Sequence, residues 1–461
     1  MRGKKFLAIT LAAMMAASIA GCNRDMKQDY TGPVKEFSEI EKNEQNIIIG
    51  GLIAPPPAGY HHYEDGTTNR NFITEEVYAQ VKECGLDFVE GHAETGFFNE
   101  DVKAALDAAV AAGTGYMINA DVRIFLNSSV QRIEEAIGDI LEHEGCFGVF
   151  MRDEPPATEY PTLGTMYNKM SQVTDKFLEI NLLPYDPSVN YNNSTTDNTL
   201  NYGLAAYDRY VEGFCEQVDS HYISVDIYPF YESELAAGVM GYSMYEYWLL
   251  NLETVMNIAA REGRSHWECL QGQKVHGFSK KPDYNDIRMQ IYTSMAYGAS
   301  AFQYYCYWTP EEVERPCLVD KQGNPTSIWY DAKKINHEVK AFGNVFTYFV
   351  SGWKGVMPLG ECVQFTHLRT PLESYPKIKS AESTEAAIIG VFNDGQGRDA
   401  FMITNYTVPG EKIDNTVTVT FNDATSAICY IGGVKTVKQL EDGKLTLNLG
   451  PGEGVFVVPE K

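Results

Sequence analysis

The stretch from Phe147 to Pro155 carries the residue types best suited to chemistry. It is a short apolar run that ends in Arg152, Asp153 and Glu154 and is then stopped by Pro155. An apolar run of this length predicts a buried strand, and the proline ends it because proline has no N–H for the ladder. Asp153 and Glu154 are therefore predicted at the carboxyl end of a strand, which is the end that carries chemistry in a parallel barrel.

Carboxyl groups at such a position suit proton transfer. Glu154 is predicted to be a general acid, because burial and a like-charged neighbour would raise the pKa of its carboxyl group. Asp153 is interpreted as a residue that orients the substrate or neighbouring side chains. A reaction in which Glu154 donates a proton to a leaving group also needs a second carboxylate, which attacks the substrate or activates water.

A regular alternation of strands and helices must position these residues. Apolar runs predict eight strands, over 47–53, 87–90, 115–119, 147–151, 182–191, 221–226, 266–270 and 301–306. Helical patterns predict the segments 74–84, 99–112, 129–144, 165–180, 204–218, 244–262, 284–297 and 330–350. Eight such units over 47–351 predict a (β/α)8 barrel, slightly longer than the usual length of about 250 residues. The alternative, an open doubly wound sheet, lacks a glycine-rich phosphate turn after its first strand.

The sequence pattern changes after the predicted barrel, where no further alternation of strands and helices occurs. Short β runs separated by turns such as Asn393-Asp-Gly fill 352–461 and include 363–366, 387–392, 401–405 and 416–421. This spacing predicts a small antiparallel β-sandwich that packs on the barrel.

The first residues predict export. A basic start is followed by an apolar run over 6–20, which is too short to be kept as a membrane-spanning helix. Ile19-Ala-Gly-Cys22 resembles the lipobox of bacterial lipoproteins, and this resemblance implies cleavage before Cys22 and acylation of its thiol. We therefore expect a signal peptide over 1–21, a flexible tether over 22–46 and an extracytoplasmic protein held at the membrane by lipid alone.

Composition excludes some partners and favours others. The net charge is −25, and Lys and Arg do not cluster beyond the first five residues, so nucleic acid is a poor partner. Tyr 29, Phe 22 and Trp 5 give a 12% aromatic share, which suits stacking on sugar rings. The residue types of His61, His62 and His92 with Asp153 or Asp226 suit zinc, but no His-x-His lies within strand one and no HExxH motif occurs, so neither a metal nor a cofactor is expected.

Polar and aromatic residues recur where the predicted strands end. Such a barrel mouth suits a neutral polyol, whose hydroxyl groups need acceptors and whose ring faces need aromatic side chains. The predicted substrate-binding residues are His92, Asn119, Arg152, Asp153, Asn190, Tyr228, Gln271, Tyr307 and Trp308, and the predicted catalytic residues are Glu154, Glu268 and Asp226.

This pattern resembles the (β/α)8 glycoside hydrolases that have a catalytic Glu at the end of strand four. Glu154 matches their acid/base position, Asp226-Ile-Tyr228 falls where His-x-Tyr is usual, and Trp308 matches the platform of strand eight. The resemblance implies cleavage of O-glycosidic bonds in a neutral oligosaccharide or polysaccharide. Asp153 departs from the Asn that usually precedes the catalytic Glu.

The second carboxylate stays open at the level of sequence. Period-two alternation puts Cys269 and Gln271 on one face of strand seven and Glu268 on the other. Glu268 and Asp226 therefore both remain candidates. Two other interpretations also stay open: a substrate-assisted hexosaminidase that uses the adjacent Asp153 and Glu154, and a barrel that holds carbohydrate without cleaving it. A metal-dependent hydrolase is a further, weaker alternative.

Overall fold

A computed structural model describes most of the chain. The described residues are 35–92, 96–186, 189–191, 195–196, 203–230, 244–275, 279–313, 315–407 and 412–461. The predicted signal peptide and Cys22 lie outside these ranges, so both stay predictions. Within the described ranges, no helix combines the length and the apolar character needed to cross a bilayer.

Eight parallel strands close into a barrel, which confirms the predicted fold. Each strand neighbours the next one in sequence, and the first strand pairs with the eighth. The strands are β1 Ile48–Gly51, β2 Phe88–Glu90, β3 Gly115–Asn119, β4 Cys146–Asp153, β5 Phe177–Leu182, β6 Tyr222–Asp226, β7 Ser265–Gln271 and β8 Ala299–Tyr305.

Helices surround the barrel. They are α1 Phe37–Ile40, α2 Glu75–Glu83, α3 Glu100–Ala112, α4 Val130–Leu141, α5 Tyr160–Met170, α6 Gly203–Gln217, α7 Met244–Glu262, α8 Tyr284–Ala296, α9 Ser327–Lys340 and α10 Gly343–Val350. Local sequence sets their ends: the Asn99 side chain caps α3, and Gly113 ends α3 in the left-handed conformation that glycine adopts without strain. The residues of α8 from Asp286 to Ala296, except Arg288, are buried, because this helix lies between the barrel and the C-terminal sheet.

The lower part of the barrel interior is filled by apolar side chains. Phe88, Met117, Phe150 and Trp267 form a cluster there. A Cβ atom at Gly50 would overlap the Phe88 ring, so glycine on β1 makes room for this packing. The floor of the barrel is therefore a packed core.

The prediction for the fifth strand is wrong. We expected a helix over 165–180 and a strand over 182–191, whereas α5 ends at Met170 and β5 is Phe177–Leu182. Glu179 and Asn181 alternate with apolar residues in this segment, and this period-two pattern is typical of a strand and not of the helix that we expected. In the folded chain both side chains are buried, at 3% and 4% exposure, because they point into the barrel.

The tether prediction is corrected at its end. Phe37 and Ile40 of α1 are buried, and the Asn43 side chain donates to the carbonyl oxygen of Asn344, 2.7 Å away. Residues from about 36 onward are thus anchored on the barrel, because two apolar side chains one helical turn apart find a place beside α10.

Among the described residues, nine strands follow the barrel and confirm the predicted sandwich. They are β9 Trp353–Leu359, β10 Ile378–Ser383, β11 Ala387–Asn393, β12 Asp399–Asn405, β13 Asn415–Phe421, β14 Ser426–Ile431, β15 Val434–Gln439, β16 Lys444–Leu449 and β17 Gly454–Glu460. A six-stranded sheet, in the order β9-β11-β12-β17-β14-β15, faces a three-stranded sheet in the order β10-β13-β16. The predicted β run at 363–366 is wrong, since Val363–His367 forms a 3-10 helix.

Candidate active site

A bulge in β4 decides which residues enter the barrel. Phe150 pairs with Glu179 of β5, but the next pairs are Arg152 with Ile180 and Asp153 with Asn181. The extra residue, Met151, shifts the alternation by one position. Asp153 therefore faces the interior beside Asn181, and Arg152 faces away from it.

Arg152 is consequently not in the site where we predicted it. Its guanidinium group donates two hydrogen bonds to Glu159, at 3.0 and 3.3 Å, and Arg123 donates to the same carboxylate at 3.2 Å. This bidentate ion pair fixes the loop that follows β4. Without the bulge, plain alternation would have placed Arg152 on the interior face with Phe150.

Glu154 has a strained backbone. Its φ is +41°, in the left-handed region that residues with a side chain seldom adopt, and its N–H donates to the Asn181 carbonyl oxygen at 2.9 Å. Strain of this kind persists only where the surrounding structure enforces it, and it concentrates at functional sites. The conformation also interrupts the strand alternation, which allows the adjacent Asp153 and Glu154 to belong to one site.

Asn181 joins two carboxyl groups from different strands. Its side-chain nitrogen donates to Asp153 Oδ1 at 3.2 Å and to Asp226 Oδ1 at 3.0 Å. The two hydrogens of an amide nitrogen diverge, so the two acceptor oxygens lie roughly 5 Å apart. The structure thereby brings the predicted Asp226 and Asp153 together at the mouth of the barrel.

The carboxyl groups at the mouth resist ionisation together. Burial, with the Asp153 charge as a second cause, raises the pKa of Glu154 to about 7. Burial followed by the charges of Glu154 and Asp153 raises the pKa of Asp226 well above its usual value, although the Asn181 amide opposes this. Burial also raises the pKa of Asp153. Since Glu154 opposes ionisation of Asp226, these two groups hold at least one proton between them near neutral pH.

A second polar layer lies across the barrel. Glu90 accepts hydrogen bonds from Asn119 at 2.8 Å and from Gln303 at 2.6 Å. Burial, and after it the Asp153 charge, raises the pKa of Glu90 to about 8. Asn119 is thus half-buried at the mouth as predicted, and one of its roles is to bind Glu90.

Two aromatic pairs border the mouth. Tyr228 and Tyr305 stack with ring centroids 5.2 Å apart, and both side chains are half-buried. On the side of β1 and β2, the His92 ring packs against Tyr60 at 4.5 Å and donates to the Ala54 carbonyl oxygen at 3.0 Å. Burial lowers the pKa of His92 to about 4, so this ring is neutral near pH 7.

Glu268 lies outside the barrel mouth, contrary to its predicted catalytic role. Its carboxylate is bonded to His266 Nε2 at 3.0 Å and also hydrogen-bonds Trp248 of α7. Trp267, the residue before it, points into the barrel cluster, so alternation turns Glu268 toward the helices. Glu268 is therefore a buried structural carboxyl group.

Gln271 faces the barrel as alternation predicts, but its amide is used within the protein. It accepts from Phe230 N at 2.9 Å and donates to the Lys280 carbonyl oxygen at 2.9 Å. Fully buried, it holds the loops after β6 and β7 together. A role for Gln271 in substrate binding is not supported.

Two aromatic residues that we predicted to bind substrate, Tyr307 and the platform residue Trp308, are buried. Trp308 is fully buried against Phe72, and its N–H donates to His61 Nε2 at 3.0 Å. His61 in turn bonds Glu311 through Nδ1 at 2.7 Å, so both of its ring nitrogens are engaged. Tyr307 is also fully buried and packs against Gly51. Tyr305 is the aromatic residue of this segment that reaches the mouth.

Some predictions cannot be placed, and some site residues were missed. Asn190 lies in a short hairpin with Thr195–Thr196, and its side chain is outside what the structure describes. Asn181, Glu179 and Tyr305 were not predicted. Polar residues at every second position of an apolar run were the available indication for the first two. Within the described ranges, no group of three or more His, Cys, Asp and Glu is arranged to hold a metal ion.

Comparison with known proteins gives distant similarities only. No protein-family model and no curated protein matches the sequence. A solved structure described as a glycoside hydrolase has a TM-score of 0.49 and 11% identity, covering 90% of this chain and 93% of that chain. The GH27 β-L-arabinopyranosidase from Geobacillus stearothermophilus has a TM-score of 0.45 and 9% identity, covering 92% and 98%. The β-galactosidase from the psychrophilic Marinomonas ef1 has a TM-score of 0.39 and 8% identity, covering 64% of this chain and only 60% of its own.

Proposed function

We propose that this protein is a glycoside hydrolase that cleaves O-glycosidic bonds of a neutral glycan. The observation that carries the proposal is that Asn181 joins Glu154 at the end of β4 to Asp226 at the end of β6. Its carbonyl oxygen accepts from the Glu154 N–H at 2.9 Å, and its side chain donates to Asp226 Oδ1 at 3.0 Å. Each carboxyl group has a raised pKa, and the charge of Glu154 is the largest of the charges that act on Asp226. Hydrolysis of a glycoside needs such a pair, in which one group is protonated and the other ionised.

Glu154 is the proton donor in this proposal. A pKa of about 7 suits a general acid that works near neutral pH. When the proton is on Glu154, the largest charge opposing the ionisation of Asp226 is removed, and the Asn181 N–H stabilises the Asp226 carboxylate. Asp226 then attacks the anomeric carbon or activates water, while Asp153 shares the Asn181 amide and keeps Asp226 in place.

The surroundings support a neutral sugar as substrate. Carboxyl and amide groups at the mouth can accept and donate to hydroxyl groups, and Tyr228, Tyr305 and Tyr60 offer ring faces. The guanidinium group of Arg152 near the end of β4 is held by Glu159, which leaves it poorly placed to bind an acidic sugar. We further propose that the enzyme is extracytoplasmic and lipid-anchored through Cys22, on the basis of the lipobox resemblance.

The test is turnover of a panel of aryl glycosides by Glu154→Gln, Asp226→Asn and Asp153→Asn. We expect the first two variants to lose at least about 100-fold in kcat and to retain sugar binding by calorimetry. Glu142→Gln is the matched control, because Glu142 is exposed on the loop that precedes β4 at the opposite end of the barrel. Full activity in Glu154→Gln, or a wild type that binds glycans and cleaves none, would overturn the proposal.

Added azide separates the roles of the two aspartates. Azide replaces a missing carboxylate nucleophile, so Asp226→Asn should recover turnover and release a glycosyl azide of inverted anomeric configuration if Asp226 attacks carbon. The same result with Asp153→Asn instead would transfer that role to Asp153. The variant that azide rescues identifies the nucleophile, and proton NMR of the product checks that its configuration is the inverted one.

A substrate-assisted hexosaminidase is a second candidate. The left-handed backbone at Glu154, which brings the adjacent Asp153 and Glu154 into one site, favours it. In that mechanism Asp153 orients the acetamido group of the substrate, and the enzyme supplies no nucleophile. Turnover confined to N-acetylhexosaminides, with activity preserved in Asp226→Asn, would select this candidate over the first.

A further inference from the structure

A buried chain of hydrogen bonds connects the barrel interior to the candidate site. The Ser224 hydroxyl oxygen on β6 lies 3.0 Å from Asn181 Oδ1 and 3.2 Å from Glu179 Oε1. Ser224 and Asn181 are paired in register across β6 and β5, and Glu179 is two residues before Asn181 on the same face. All three side chains are less than 5% exposed.

The number of available protons decides which group donates and which accepts in this series of hydrogen bonds. Ser224 has a single hydroxyl proton, which can reach only one of the two oxygens. If Glu179 were ionised, it would compete with Asn181 for that proton and bury a negative charge. Glu179 Oε2 has no hydrogen-bond partner among the described residues, and the neighbouring charges that act on Glu179 are the like charges of Glu90 and Asp153. An ionised Glu179 is therefore costly.

A neutral Glu179 removes this conflict. Its carboxyl O–H donates to Ser224, and the Ser224 hydroxyl then donates to Asn181 Oδ1. The Cys269 thiol, 3.9 Å from the same oxygen, adds a weak contact from β7. With its oxygen engaged on this side, the Asn181 amide must direct its NH2 group toward Asp153 and Asp226. The flipped amide would place its oxygen against two carboxyl groups.

We propose that neutral Glu179, through Ser224, is a positioning residue that fixes the orientation of the Asn181 amide and thereby the placement of Asp153 and Asp226. The consequence for catalysis rests on the proposed function, but the protonation of Glu179 can be tested without any substrate. The titratable groups that face Glu179 are Glu90 of β2, Asp153 of β4 and Cys269 of β7.

Infrared difference spectroscopy of the full chain tests the neutral state. Wild type minus Glu179→Gln at neutral pH should show the carbonyl band of a protonated carboxylic acid. Wild type minus Glu142→Gln should show only carboxylate bands, because Glu142 is exposed, and this difference calibrates the method. A carboxylate band in the Glu179 difference would overturn the proposal, whether or not the protein cleaves glycosides.

Kinetics test the positioning role. Ser224→Ala breaks the chain without touching substrate, and it should lower kcat by about tenfold or more while KM changes less than about threefold. Ser224→Thr restores a hydroxyl and should recover part of the loss. An unchanged kcat in a folded Ser224→Ala variant would refute the positioning role. A wild type without glycosidase activity would refute the proposed function and leave the infrared result standing.

Discussion

Asp153 on β4 and Asp226 on β6 accept hydrogen bonds from one and the same nitrogen, that of the Asn181 side chain on the strand between them. Neither aspartate can shift far without losing this shared donor. Three successive strands of the barrel therefore fix the relative position of two carboxyl groups that are 73 residues apart in the chain. The predictions below depend on this arrangement and on the side chains around it.

The rate of glycoside cleavage should fall on the alkaline side of neutrality. Glu154 must be protonated to donate, and burial raises the pKa of its carboxyl group to about 7. We expect kcat/KM to decline about tenfold per pH unit above that value. In Glu154→Gln, assayed on an aryl glycoside with a good leaving group, the residual rate should lose this alkaline limb. If the alkaline decrease in kcat/KM were unchanged in this variant, a group other than Glu154 would be responsible for it.

Glu268 should prove structural. Glu268→Leu keeps the volume but leaves His266 Nε2 without its carboxylate, so urea unfolding should show a loss of about 1–3 kcal/mol in the free energy of unfolding. The kcat of the folded variant should stay within about threefold of wild type, because the side chain faces α7. A large loss of kcat that azide restores would show instead that Glu268 is a nucleophile.

Tyr305 and Trp308 should separate binding from stability. Tyr305→Ala removes a half-buried ring from the mouth and should raise KM by about tenfold, as the loss of one aromatic contact predicts. Trp308→Phe should lower the unfolding temperature and leave KM unchanged, since Trp308 is fully buried and bonded to His61. A rise in KM for Trp308→Phe at an unchanged unfolding temperature would restore its predicted role as a platform.

The contribution of Glu179 to the free energy of unfolding should decrease as the pH rises. Burial, with the charges of Glu90 and then Asp153, raises the pKa of Glu179 well above its usual value. The folded chain keeps this proton to a higher pH than the unfolded chain, so the associated stability is complete below the unfolded pKa of about 4.3 and is lost as the pH passes the folded pKa. Glu179→Gln should therefore lose less stability than wild type between about pH 5 and pH 8 in urea titrations. If the free energy of unfolding changed with pH in the same way in wild type and Glu179→Gln, the neutral state of Glu179 would be contradicted.

Membrane attachment should depend on Cys22. Cys22→Ser removes the acylated thiol, so the protein should lose labelling by an alkyne fatty acid and leave the membrane fraction of expressing cells. Cys84→Ser is the control, because Cys84 is buried at the end of α2 beside Trp329 and its loss should not affect labelling. Labelling that survives Cys22→Ser would refute the lipobox prediction.

The sequence alone determined the barrel, because period-two and period-3.6 patterns alternate along the chain and parallel strands joined by helices leave few topologies. It also determined the place of Glu154 at the end of a strand, since an apolar run followed by charged residues and proline has one reading. Alternation within β7 correctly separated Glu268 from Gln271. These features are local, and short-range sterics and burial set them.

Only the tertiary structure decided which residues meet. The bulge at Met151 reverses the faces of Arg152 and Asp153, and the pairing with β5 that creates it joins segments about 30 residues apart. The burial of Trp308 depends on its contact with Phe72, and the site role of Asn181 on its distance from Asp226. Such relationships arise from packing between distant parts of the chain, so the local sequence pattern does not predict them.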